Sequence, residues 1–218
     1  MQLSAARGLL NQIQQRFKEN QDFLLHHAKD TYDEVIEFTN DAIDELRLIE
    51  KDNLAKRAMT FFLTHVFMPQ SYGIHVDLLS GNLPMCFAEL RLMVESLAKC
   101  FYADLQYPKN LFFKERISRL ENANITQLVR DVEEYAGINN RDFVALWQDL
   151  SREWVRAEGL VNRVLNYVSH YQDVPPWGLV IPMCYTESDI PEPMELGERI
   201  AKFREISTTL LKNWPVSG

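Results

Sequence analysis

The chain contains few glycines and few cysteines, and each shortage excludes a class of protein. Only 8 of its 218 residues are glycine, whereas an all-β chain needs many more for its tight turns. Its three cysteines, Cys86, Cys100 and Cys184, include no Cys-x-x-Cys pair. An odd number without such a pair excludes a disulfide framework and a standard zinc site. We therefore expect free buried thiols in a reducing compartment, which places the protein in the cytoplasm.

Long apolar runs are also lacking. The most apolar stretch, residues 59–68, is short and stops at Pro69, so it cannot span a bilayer. Residues 1–17 have no continuous apolar core and do not have the pattern of a signal peptide. Apolar residues still make up 46% of the chain, which is enough to form a core without disulfides or metal. We expect a soluble protein with no membrane partner.

The chain also lacks an excess of basic residues. The net charge is −8, and residues 19–52 carry all of it, with eleven acids against three bases. This acidic face should repel phosphate backbones, so we expect no DNA partner. The remainder of the chain is neutral and neither favours nor excludes nucleic acid.

The acidic segment could also bind a metal. All-α nucleotide pyrophosphatases hold Mg²⁺ with paired helical carboxylates, and such a site needs a second acidic pair on a facing helix. The chain offers Glu95 and Asp104 for that pair, at the wrong spacing. A solvated acidic face is the simpler interpretation, and a metal-dependent nucleotide hydrolase stays as an alternative. Five acids lie on one predicted helix: Glu34, Glu37, Asp41, Asp44 and Glu45.

Helical spacing of apolar residues runs through most of the chain. The first two predicted helices have no Gly or Pro between them and could be one long bent helix, whereas Pro69 should end the third. Residues 172–191 hold four prolines and are predicted to be a surface loop. We predict an all-α fold, with residues 1–218 as a single domain: a helical bundle of seven to nine helices around a long central helix. The predicted helices are 4–27, 31–50, 54–67, 71–79, 84–105, 110–122, 125–136, 141–171 and 192–214.

The central helix, residues 84–105, is the most informative segment. Asn82 can cap it, and Pro84 lies just inside it, where a missing N–H costs nothing. At roughly 1.5 Å per residue it is about 32 Å long and can cross the whole domain. One broad apolar arc should form the core, with Leu90, Val94, Leu97 and Phe101 at its centre.

A charged stripe runs along one edge of this helix. Arg91, Glu95 and Lys99 are spaced at i, i+4 and i+8, so their side chains are neighbours. The flanking residues Met85 and Leu92 are apolar, which predicts that the stripe is partly buried. The stripe could line a cleft or a subunit interface, and the plainer alternative is a solvated helix edge.

Two segments resemble helical proteins of the HEPN superfamily. Residues 88–99 resemble the Arg-x-x-x-Glu helix of that family, with Arg91 and Glu95 at the two named positions. Residues 146–156 resemble its later "Leu-Ser … Val-His" segment. The resemblance covers about a fifth of the chain and extends to abortive-infection-type and uncharacterised prokaryotic members. It implies a helical bundle that is often dimeric, with a link to RNA or to defence.

The chain departs from this family at the residue that would do chemistry. The RNase-active members use an Arg and a His four to six residues further on, and this sequence has Arg156 where the histidine would stand. Arginine stays protonated and cannot replace imidazole as an acid or base. Arg163 and His170 have a similar spacing, two helical turns apart, although a surface Arg and an unrelated His at a helix end are the plainer interpretation.

The leading hypothesis from the sequence is a non-catalytic, HEPN-like helical protein that acts through contacts with a protein or an RNA. The alternatives are the metal-dependent nucleotide hydrolase and a purely structural homodimer whose interface is the central helix. We expect no cofactor and no metal, and we expect a homodimer. We also predict that Arg91, Glu95 and Arg156 form one polar cluster that marks the site. The candidate binding residues are Arg91, Glu95, Lys99, Arg156, Arg163 and His170.

Overall fold

The computed structural model describes residues 2–47, 58–107, 111–138, 141–155 and 184–215. These residues are helical with no strand, so the predicted all-α fold is confirmed. No helix in these ranges is both long enough and apolar enough to span a membrane.

The helices follow the predicted order, with differences at their ends. If 58–80 is counted as one helix, the described residues form eight, within the predicted range. Residues 48–57 and 156–183 lie outside the described residues. They include the end of predicted helix 31–50, the start of predicted helix 54–67, the end of predicted helix 141–171 and most of the predicted loop 172–191. The α-helices are α1 (Gln2–His27), α2 (Lys29–Arg47), α3 (Ala58–Phe62), α4 (Met68–Ser80), α5 (Leu83–Gln106), α6 (Phe113–Ser118), α7 (Ile125–Ala136), α8 (Asp142–Val155) and α9 (Pro191–Lys212).

The prediction that Pro69 ends a helix is wrong. Helix α3 continues through a π-helical turn, Leu63–Phe67, directly into α4. In the widened turn the Met68 N–H donates to the Leu63 carbonyl, five residues back. A proline ring clashes with the carbonyl four residues before it and has no N–H to donate. The π turn immediately before Pro69 removes this conflict, so the chain stays helical from 58 to 80.

Helices α1 and α2 follow each other almost without a break, so one bent helix and two helices were both close descriptions. Ala28 is the single non-helical residue between them. Its N–H still donates to Leu24 (2.8 Å), and its carbonyl accepts from Tyr32 (3.1 Å). The acidic face of α2 packs along α9, where Gly197 permits a close approach. A Cβ at Gly197 would lie 3.1 Å from the Thr31 Cα, closer than side chains ordinarily come to backbone.

The central helix is α5, and its predicted core face is confirmed. Leu90, Val94, Leu97 and Phe101 are fully buried in a continuous apolar cluster. Helices α3, α4, α7, α8 and α9 all pack against α5. Asn82 does stand at its N-terminus with Pro84 in the first turn, but the Asn82 side chain donates to Asp77 instead of capping the helix. Helix α5 packs against most of the other described helices. A site on α5 that a partner could reach must therefore lie on the part of its surface that these helices leave exposed.

Candidate interaction surface

The charged stripe of α5 is partly buried, as its apolar neighbours predicted, but its members have different environments. The Arg91 guanidinium lies over the Trp147 ring of α8, with its central carbon 5.4 Å from the ring centre. A cation over an indole face is attracted by the ring quadrupole. Glu95 instead accepts a hydrogen bond from Lys99 at 2.7 Å, one turn further on. Arg91 therefore joins α5 to α8, and the other two residues form a pair within α5.

The other three candidate binding residues, Arg156, Arg163 and His170, lie outside the described residues. The cluster of Arg91, Glu95 and Arg156 therefore stays a prediction.

The feature that stands out on the described surface is apolar. Two large apolar side chains of α4, Tyr72 and Val76, are 59% and 37% exposed. On the neighbouring α5, Met85 and Leu92 are each 46% exposed. We call these four residues the α4–α5 face. The stripe beside them is partly buried, as predicted, although Met85 and Leu92 are themselves exposed.

A single contact shows that these four residues lie on the same side of the molecule. Glu89 of α5 packs against Gly73 of α4 so closely that a Cβ at Gly73 would overlap the Glu89 carboxylate. Tyr72 precedes that glycine and Val76 follows it by less than one turn. Residues 85 and 92 lie one turn before and one turn after Glu89. The exposed apolar side chains therefore lie along the line at which α4 and α5 meet.

The Glu89 carboxyl at this line is in an unusual environment. It is half-buried, and its Oε2 atom is shielded from solvent with no hydrogen-bond partner among the described residues. Burial, together with the nearby negative charge of Asp77, raises the pKa of Glu89 to about 7. A carboxyl that holds its proton near neutral pH can lie at an apolar surface without the cost of a buried charge.

Sequence reasoning missed a buried ion pair at the other end of α5. Asp104 is 6% exposed and Arg116 of α6 is 1% exposed, and they form a charged hydrogen bond. The Asp104 carboxylate also accepts from the Ala58 and Met59 N–H groups (3.2 and 3.3 Å) and from Trp214 Nε1 (2.9 Å). It thus caps the described start of α3 and holds α6 and the C-terminal segment. The two charges pair with each other inside the protein, so this site has a structural role.

The acidic helix is also explained by contacts within the protein. Arg204 of α9 donates to Glu34 (2.6 Å), Glu37 (2.9 Å) and Asp41 (2.7 Å) of α2. Burial opposes the charge on Arg204, but these three hydrogen bonds outweigh it and raise the pKa of Arg204. Three of the five acids considered for Mg²⁺ thus bind α9 to α2. The described residues contain no group of three or more His, Cys, Asp or Glu arranged to hold a metal ion.

The three cysteines are free thiols. Cys86 and Cys100 are buried on α5, and burial raises the pKa of both thiols. They are therefore packing groups of the core. Cys184 is partly exposed and accepts a hydrogen bond from Arg16 of α1.

No family model, no curated protein and no solved structure matches this chain.

Proposed function

We propose that this protein is a non-catalytic helical protein that acts through protein contacts, and that its α4–α5 face binds a second copy of the chain. The observation that carries the proposal is the exposure of Tyr72, Val76, Met85 and Leu92 on two adjacent helices. Single exposed apolar residues are ordinary, whereas several on one face mark an interaction site. The proposal retains the homodimer expected from the sequence and moves its interface from the charged stripe to this face.

A second copy suits this face because the face is complementary to itself. Met85 and Leu92 are seven residues apart on one helix, symmetric about the 88–89 peptide. An antiparallel α5–α5 contact centred there would place Met85 of each copy against Leu92 of the other. A twofold dimer requires the same patch on both partners, and helices that pair present apolar residues at seven-residue spacing. The face meets both requirements.

The charge of the face argues against nucleic acid as its occupant. The four apolar residues surround Glu89, and the pair Glu95–Lys99 lies one turn beyond Leu92 with no net charge. A phosphate backbone needs a cluster of Lys and Arg, which this face lacks. RNA as a partner, allowed by the HEPN resemblance, is therefore an outcome that the experiment below must exclude for this surface.

The size of the face predicts a weak dimer. Helix α4 has 13 residues, so the face is about 20 Å long and, across two helices, about 20 Å wide. A projected area of roughly 400 Å² is below the roughly 800 Å² that each partner of a standard complex buries. We therefore expect a dissociation constant in the micromolar range, roughly 1–100 µM, near pH 6.

We predict that Leu92→Asp abolishes the dimer. The substitution places a charge at the centre of the interface, where burial without a partner is costly, and should raise the dissociation constant at least about 100-fold. Sedimentation equilibrium of wild type and variant at the same concentrations measures it. Leu92 is largely exposed in the single chain, so the variant should keep the wild-type helical circular dichroism.

The matched control is Leu25→Asp on α1, where a leucine of similar exposure lies outside the face. It should dimerise like the wild type. If both Asp variants weaken association equally, the effect is one of net charge and the α4–α5 face is not the interface. If an unstructured RNA binds the wild type and Leu92→Asp removes that binding, the occupant is RNA and the proposal is wrong.

The HEPN-like relationship and the cytoplasmic location belong to the same proposal. The dimeric habit of the resembled family supports a homodimer. The three free thiols support a reducing compartment, because proteins of oxidising compartments commonly carry disulfides. Both the homodimer and the reducing compartment are supported without a related protein, since no comparison found a match.

A further inference from the structure

We infer that the Glu89 carboxyl makes self-association through the α4–α5 face pH-dependent, so that two copies join when it is protonated and separate when it is ionised. This inference rests on the proposed dimer and adds the regulation of the same surface.

The position of Glu89 carries the inference. Its carboxyl packs onto Gly73 at the line between α4 and α5, with Met85 and Leu92 one turn to either side. Its Oε2 is already shielded from solvent and has no hydrogen-bond partner in the described part of the chain. A second copy that covers Met85 and Leu92 must also cover this carboxyl. The twofold arrangement described above brings the two Glu89 residues of a dimer near the same axis.

Two ionised carboxylates enclosed in an apolar interface repel each other and lose their hydration. Two neutral carboxyls, or a pair sharing one proton, avoid both costs and can hydrogen-bond to each other. Dimer formation therefore favours the protonated form, which means that it takes up protons. By linkage, association is strongest below the pKa of Glu89 in the single chain and weakens as the pH rises above it.

The groups that face Glu89 set the pH at which this happens. From α4, the Asp77 carboxyl lies close enough for its charge to raise the pKa of Glu89, and burial raises the pKa of Asp77 as well. On its own helix, the buried thiol of Cys86 faces the same line and stays protonated. His75, two residues after Gly73, packs edge-on against the Tyr32 ring of α2 (5.9 Å). Since the pKa of Glu89 is raised to about 7 by burial, the change should be centred near neutral pH.

The test is the dissociation constant at pH 6.0 and pH 8.5, measured by sedimentation equilibrium on the whole chain. If one of the two Glu89 carboxyls in a dimer must be neutral, a pKa near 7 predicts that the wild-type dissociation constant rises by about 30-fold from pH 6.0 to pH 8.5. Glu89→Gln keeps the size of the side chain and removes its titration, so the variant should dimerise equally at both pH values. Glu134→Gln, an exposed residue on α7, is the matched control and should retain the wild-type pH response.

A second variant tests whether Glu89 responds to its neighbour. Asp77→Asn removes the like charge that raises the pKa of Glu89, so the midpoint of the pH response should move to lower pH. If Asp77 has only a structural role, Asp77→Asn would change the dissociation constant without moving the midpoint of its pH response. Circular dichroism at both pH values shows whether each variant is folded.

The failures of the two proposals are distinguishable. If Leu92→Asp disrupts the wild-type dimer but the wild-type dissociation constant is the same at both pH values, the role of Glu89 is overturned and the proposed interface stands. A pH response that survives in Glu89→Gln has the same consequence. A wild type that is monomeric at pH 6.0 up to 200 µM, together with a monomeric Glu89→Gln, overturns the interface itself.

Discussion

Asp104→Asn should destabilise the fold by about 3–5 kcal/mol, the cost typical of breaking a buried ion pair from one side. The change removes the negative charge of Asp104 that pairs with the Arg116 guanidinium, which is 1% exposed. It also replaces one acceptor oxygen by an NH₂ group that must face the N–H donors of Ala58, Met59 or Trp214. Chemical denaturation followed by circular dichroism measures the loss in the free energy of unfolding.

The control is Asp44→Asn. Asp44 pairs with Arg47 one turn away at 2.8 Å, with both side chains about 70% exposed, and exposed pairs contribute about 0–1 kcal/mol. Arg116→Met in the Asp104→Asn background should recover part of the loss, because the buried positive charge that Asp104 balanced is then gone. Equal, small effects of Asp104→Asn and Asp44→Asn would show that Asp104 does not hold α3, α6 and the C-terminal segment together.

Leu97→Ala should cost about 2–5 kcal/mol, the range observed when a buried leucine is truncated. Leu97 is fully buried on α5, the helix that contacts most of the others. A cavity there is lined by several helices that already pack against each other, so the site has little freedom to collapse. Thermal or chemical denaturation of the purified variant gives the change in the free energy of unfolding.

The matched substitution is Leu25→Ala, which removes the same atoms from a side chain that is 40% exposed. It should change the free energy of unfolding by about 0.5 kcal/mol or less. A loss within about 0.5 kcal/mol for Leu97→Ala would contradict the assignment of this face of α5 to the core.

The helices could be predicted from the sequence because local patterns determine them. The apolar arc of α5 repeats at helical spacing, and the side chain of Asn124 caps α7 by accepting from the Gln127 N–H (3.2 Å). Gly137 ends that helix in the left-handed region, with φ of 66°. The error at Pro69 arose because its conflict with the helix can be relieved by a π turn. Nothing in the spacing of apolar residues signals such a turn.

The candidate surface was only partly predictable, since it depends on which helices become neighbours. The sequence showed that Met85 and Leu92 lie off the core arc of α5, but it could not show that α4 leaves them uncovered. The pairing of Asp104 with Arg116 joins two different helices, and that of Arg204 with three acids of α2 joins residues far apart in the chain. Such pairs have no local signature. Gly73 and Gly197 each lie where two helices approach closely, and such glycines are the clearest sign in the sequence of which helices become neighbours.

The mass of the wild-type chain in solution tests the central proposal most directly. Sedimentation equilibrium at pH 6.0, from 1 to 200 µM, should show a reversible change from the single-chain mass of 25.5 kDa to twice that value, and Leu92→Asp should stay at the single-chain mass throughout. A wild-type chain that keeps the single-chain mass at every concentration, or a Leu92→Asp variant that dimerises as the wild type does, would contradict a homodimer built on the α4–α5 face.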